Sequence, residues 1–86
     1  MNEVLNAKIK KLSNHFQNTN YEHVIRECKT ILKKFPENPT LLNMLGLALQ
    51  QIGNFEDAKI SYLKTIQIYP QHYAALNNLG SVCRTM

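Results

Sequence analysis

The side chains able to do acid–base, nucleophilic or metal chemistry are few in this chain and poorly spaced for it. His15, His23 and His72 are scattered over 86 residues, Cys28 and Cys83 stand 55 positions apart, and the six carboxylates include no pair set for general acid–base work. A metal centre needs ligands at short recurring spacings, and a nucleophile needs a base within hydrogen-bond reach. Neither pattern occurs, and no Gly-rich phosphate loop follows a strand. The expectation is a chain that is not an enzyme and takes no cofactor or metal. His15 is expected on a helix flank, His23 and His72 in exposed first turns, and Cys28 in the core. The side chains left for recognition are amides and hydroxyls, which present a donor and an acceptor together and so suit the backbone of an extended peptide.

These groups must be positioned by helices, because the apolar residues recur at helical spacing. Leu5, Ile9, Leu12 and Phe16 fall at i, i+4, i+7 and i+11, predicting a first helix over about 2–17. A second is predicted from Tyr21 to Lys34 with Tyr21, Val24, Cys28, Ile31, Leu32 and Phe35 on one side, and Pro36 stops it. Asn38-Pro39 is a start signal for a third, to Gln51, apolar over two adjoining stripes: Leu42, Leu45, Gly46 and Leu49, then Leu41, Ala48 and Ile52. Gly53 is placed for a left-handed C-cap, and Asn20 and Asn54 for side-chain N-caps. A fourth helix, about 55–69, should bury Phe55, Ala58, Tyr62, Thr65, Ile66 and Tyr69, and a fifth begins near His72.

The same order of large and small residues recurs at 34 positions. Asn20, Tyr21, Val24, Cys28 and Pro36 map onto Asn54, Phe55, Ala58, Tyr62 and Pro70, while Leu42, Leu45 and Gly46 map onto Leu76, Leu79 and Gly80. The first helix aligns with the third at an offset of 33, with Ser13 in the place of the glycine, as though the turn Asn18-Thr19-Asn20 had lost a residue. Leu42-x-x-Leu45-Gly46-x-x-Leu49, then Gly53-Asn54-Phe55, Ala58-x-x-x-Tyr62 and Pro70, is similar to the tetratricopeptide repeat pattern. The resemblance covers essentially the whole chain. It implies one all-α domain, a right-handed superhelix of helix hairpins with repeats at about 3–36 and 38–70 and a partial third at about 72–86.

The resemblance also implies a scaffold that binds a protein or peptide in the concave surface lined by the first helix of each pair. The groove candidates are Lys10, Asn14 and Gln17; Asn43, Met44, Leu47 and Gln50; and Asn77, Asn78, Ser81 and Arg84. Lys10 and Asn14 resemble the first two residues of the carboxylate clamp of co-chaperones, but Met44, Ala74 and Asn78 depart from the rest of it. A second expectation is self-association through the uncovered fifth helix, burying Leu76, Cys83 and Met86.

The net charge of +4 lies in the first 36 residues, with seven Lys or Arg against three acids. Arg26, Lys29 and Lys33 share one helical stripe and form a solvated face, so an acidic protein segment is the favoured partner and weak nucleic-acid binding through the basic first repeat is the least favoured alternative. No apolar run approaches the roughly 18 residues of a membrane span, and residues 1–12 alternate Lys with aliphatics rather than forming a signal segment. With two thiols outside any disulfide spacing, a cytoplasmic setting is expected.

Overall fold

The computed structural model describes residues 2–86; Met1 lies outside the described residues. Five helices follow in order: α1 Asn2–Gln17, α2 Tyr21–Leu32, α3 Pro39–Gln51, α4 Phe55–Ile68 and α5 Tyr73–Thr85. No strand occurs among the described residues. α3 is the central helix and packs against α1, α2, α4 and α5, which is why it needs two apolar stripes. The pairs α1–α2 and α3–α4 are hairpins, and α5 lies against both α3 and α4. Leu41 and Ala48 from one stripe of α3, and Leu42, Leu45 and Leu49 from the other, join Val24, Cys28, Ala58, Tyr62, Ala75 and Val82 in the buried interior.

Two helices end sooner than their periodicity suggests, and for one reason. Phe35 and Tyr69 each precede a proline, whose ring disfavours helical backbone at the residue before it. Tyr69 is extended (φ −129°, ψ 83°), and residues 33 and 34 tighten into a turn in which the Lys34 N–H donates to the Ile31 carbonyl at 3.0 Å. Both aromatic side chains, expected inside, are partly exposed in consequence, as is Ile52 at the C-cap of α3.

The caps divide likewise. Asn38 is extended (ψ 114°) and its Oδ1 accepts from the Leu41 N–H at 3.0 Å. Asn20 and Asn54 make no side-chain cap, because their backbones (ψ 60° and 73°) stop short of the extended setting that aims a cap at the first turn. Asn54 instead donates from Nδ2 to Asp57 Oδ2 at 3.0 Å. The cap that periodicity missed is His72, whose Nδ1 accepts from the Ala75 N–H at 3.1 Å.

The hairpin turns correct the repeat register. The Asn20 N–H donates to His15 O at 2.9 Å and the Thr19 N–H to Phe16 O at 3.0 Å; 34 residues on, Asn54 donates to Leu49 O at 2.9 Å and Gly53 to Gln50 O at 3.1 Å. These are the same six-to-one and five-to-two closures of a left-handed helix end. Thr19 (φ 61°) does what Gly53 (φ 85°) does, so no residue has been lost from the first turn and α1 matches α3 at 34, not 33. Leu12 therefore occupies the place of Gly46, and Cys28 that of Tyr62. The apolar bulk has moved from one helix of the hairpin to the other, which is what shifted the apparent spacing.

In the second hairpin the bulk lies on α4. A Cβ added to Gly46 would come within 2.5 Å of Tyr62 Cε1, and that ring is fully buried with nowhere to swing. Gly46→Ala is expected to lower stability by about 1–3 kcal/mol through overpacking, outweighing the roughly 1 kcal/mol gained in helix propensity. Thr19→Gly is expected to do the reverse. It relieves a left-handed β-branched residue worth about 1–2 kcal/mol, less the chain entropy that glycine adds to the unfolded state. Thermal denaturation of the two variants should move the midpoint down for the first and up for the second.

Candidate functional site

The surface that α1, α3 and α5 share is polar along the α3–α5 seam and apolar toward α1. On the seam, Asn78 Nδ2 donates to Asn43 Oδ1 at 3.1 Å and Gln50 Nε2 to Ser81 Oγ at 3.3 Å. The Tyr62 hydroxyl emerges beside Gly46 and donates to Gln50 Oε1 at 2.9 Å, joining the core to the seam. The amide of Gln50 is thus engaged at both ends. Asn43 keeps its N–H₂ and Asn78 its oxygen, one donor group and one acceptor. Among the described residues no buried side-chain polar atom lacks a partner.

Toward α1 the seam opens into a hollow of about 370 Å³, lined by Ser13, Phe16 and Gln17 of α1, Thr40, Asn43, Met44 and Leu47 of α3, and His72. This is within the lower part of the size range of ligand pockets. Phe16, Met44 and Leu47 give it an apolar wall among polar neighbours. Because the His72 Nδ1 accepts from the backbone, the ring proton lies on Nε2, leaving a donor.

Of the residues picked out by pattern, Gln17, Asn43, Met44 and Leu47 line this hollow, and Asn43, Gln50, Asn78 and Ser81 form the seam. Met44 differs from its expected role: it is buried in the core cluster as well as bordering the hollow. Lys10 and Asn14 are exposed on α1 and take no part in the lining; Asn77 and Arg84 are exposed on α5. The reason lies in the register. At 34, Asn43, Leu47 and Gln50 correspond to Ile9, Ser13 and Phe16 of α1, one step round the helix from Lys10, Asn14 and Gln17. Ser13, Phe16, Thr40 and His72 were missed, although Thr40, Asn43 and Leu47 form an i, i+3, i+7 stripe visible in the sequence.

Leu76, Cys83 and Met86 are exposed. His23, expected in an exposed first turn, is half-buried with its ring 4.4 Å from that of His15 at 54°. No group of three or more His, Cys, Asp or Glu among the described residues could hold a metal ion. No helix described is long and apolar enough to cross a membrane.

No family model matches the chain. It is similar to tetratricopeptide repeat protein 37 of Xenopus laevis, 27% identical over 81 residues, which is 94% of this chain and 5% of that protein. The chain thus spans about a twentieth of the length of the curated relative it matches.

The two thiols sit in opposite environments, and pH should reveal it. Burial, with the Glu27 charge adding to it, pushes the Cys28 thiol up from 9.0 to about 12, and burial raises the Tyr62 hydroxyl above its ordinary value of 10.0. Both shifts favour the protonated form in the folded chain, so the stability they represent is present below pH 9. It is lost as pH rises toward 12, at no more than about 1.4 kcal/mol per pH unit for each group. Urea unfolding should show a midpoint falling above pH 9, with a flatter fall in Cys28→Ala. At neutral pH a thiol reagent should label Cys83 at once and Cys28 only on unfolding.

Proposed function

We propose that the chain is a non-catalytic module that binds an extended segment of another protein across the α1–α3–α5 surface. The observation that carries this reading is the adjacency of a hollow with an apolar wall to a polar seam with one amide donor and one carbonyl acceptor left over. An extended peptide needs that combination: alternate side chains seek apolar cover while the intervening backbone seeks a donor and an acceptor. The similarity to a tetratricopeptide repeat protein supports protein partners in general. Phe16, Met44 and Leu47 would hold a large side chain, Asn43 and Asn78 its backbone, and Ser13, Gln17, Thr40 and the His72 Nε2–H would border it.

Lys10 and Asn14 lie one step away on α1, outside the lining, where Lys10 adds positive charge to the approach. Panning a random peptide library on the chain would yield the probe. Leu47→Asp should weaken the selected peptide at least about tenfold, since it buries a charge in the hollow. Asn78→Ala should weaken it several-fold. Lys10→Ala with Asn14→Ala should leave binding within about twofold at high salt, where long-range steering is screened. Binding insensitive to Leu47→Asp and Asn78→Ala would overturn the assignment.

A further inference from the structure

The seam between α1 and α2 opens into a second hollow of about 370 Å³, lined by Val4, Leu5 and Lys8 of α1, Thr30 and Ile31 of α2, and Lys34 and Phe35 just after α2. Leu5 and Ile31 are buried beneath it, while Val4 (64% exposed) and Phe35 (39% exposed) leave apolar surface in water at its edge. Residue type makes this opening. At the repeat of 34, Lys8 and Lys34 take the places of Leu42 and Ile68. Leu42 is 3% exposed in the second hairpin. A lysine at the same place lays its stem along the seam and carries its charge out to water, and Lys8 and Lys34 are both exposed. Two aliphatic positions of one hairpin have thus become a pair of cations on the two banks of the other, with no carboxylate among the described lining residues. Lys11 replaces buried Leu45 in the same way, so a helix laid across this side would have to bury like charges.

We propose that this hollow binds a fatty acid, with the alkyl chain held by Val4, Leu5, Ile31 and Phe35 and the carboxylate between the Lys8 and Lys34 ammonium groups. The apolar walls call for hydrocarbon, and the volume, in the lower part of the range of ligand pockets, suits a single chain. The two lysines call for an anion, which relieves their mutual repulsion and gains charge-assisted hydrogen bonds.

The polar groups here are also already engaged, which sets this hollow apart from the α3–α5 seam. Thr30 Oγ1 donates to Arg26 O at 3.1 Å. The Lys34 and Phe35 N–H groups both donate to Ile31 O at 3.0 Å, and Phe35 O accepts from the Asn38 N–H at 3.2 Å. A peptide backbone entering this hollow would lose its water without gaining partners, a cost that an alkyl chain does not meet. A recessed hollow between two helices also suits a free chain better than a bilayer, whose surface takes up a protruding apolar face. No residue is shared with the lining of the peptide hollow, so the two sites can be tested apart.

Titration calorimetry of the chain with dodecanoate below its micelle concentration tests this, with dodecyl maltoside and dodecyltrimethylammonium as neutral and cationic chains of equal length. The expected result is one dodecanoate per chain, bound at least about tenfold more tightly than either control, with amide NMR shifts changing at Leu5, Ile31 and Phe35. Octanoate should bind more weakly, by up to about fourfold for each methylene lost from the hollow. Lys8→Gln with Lys34→Gln should abolish the preference for the anion, and Val4→Asp should weaken dodecanoate at least about tenfold. All three side chains are exposed, so circular dichroism should show the fold of these variants unchanged. Dodecanoate should leave a peptide selected on the α1–α3–α5 surface bound. Equal affinity for the three head groups, binding indifferent to these substitutions, shifts centred on Phe16, Met44 and Leu47, or retention by phospholipid vesicles alone would each overturn the proposal.

Discussion

The distance between α3 and α4 is set by a side chain that is absent. Gly46 leaves no Cβ, the Tyr62 ring lies against its backbone, and the hydroxyl of that ring reaches Gln50, one turn further along α3. A packing contact in the core thereby fixes a polar group on the surface. Gln50 in turn donates to Ser81, so the position of α5 depends on how closely α4 approaches α3. Close packing resists small changes in volume. A shift of Tyr62 would consequently be felt on the surface through two hydrogen bonds rather than absorbed inside.

The first hairpin solves the same problem with the volumes exchanged, Leu12 standing where Gly46 does and Cys28 where Tyr62 does, both buried. Total volume is what a core conserves most strictly, and swaps between facing positions are tolerated where the sum is kept. The exchange also changes the surface above. Without a tyrosine hydroxyl, α2 sends nothing up between α1 and α3 to anchor a polar seam, and Phe16, at the place of Gln50, supplies an apolar wall instead. One side of the surface is polar and the other greasy because of which helix carries the bulk.

This also explains what could be read in advance. The helices were legible from periodicity and their ends from Pro36, Pro39, Gly53 and Pro70, since those effects are local. The side chains that gather on the shared surface were legible on α3 and α5, where Asn43, Leu47, Gln50, Asn78 and Ser81 meet along the seam or the hollow. They were misread on α1 because side-chain pattern was used to set the register, and the exchange of Leu12 and Cys28 moves that pattern by one residue while the backbone stays in step. The His72 cap and the His15–His23 contact depend on rotamers and on helices meeting, neither of which a spacing encodes.

The hydrogen-bond inventory decides where affinity on the shared surface must come from. Asn43, Asn78, Gln50 and Ser81 already bond to one another in the free chain, so a ligand that displaces any of these bonds exchanges partners instead of gaining them. Even a new bond contributes only about 0.5–1.5 kcal/mol net, because water served both groups before. Covering the Phe16, Met44 and Leu47 wall carries no such offset, at roughly 25 cal/mol for each Å² of apolar surface removed from water. In the proposed mode the amides would therefore fix the register of a bound segment, and the hollow beside them would supply most of its free energy. Selectivity follows from the difference: a segment with its large side chain one position out of step meets the wall with its backbone, and leaves the Asn43 donor and the Asn78 acceptor facing apolar groups, a mismatch that costs more than either bond contributes when made.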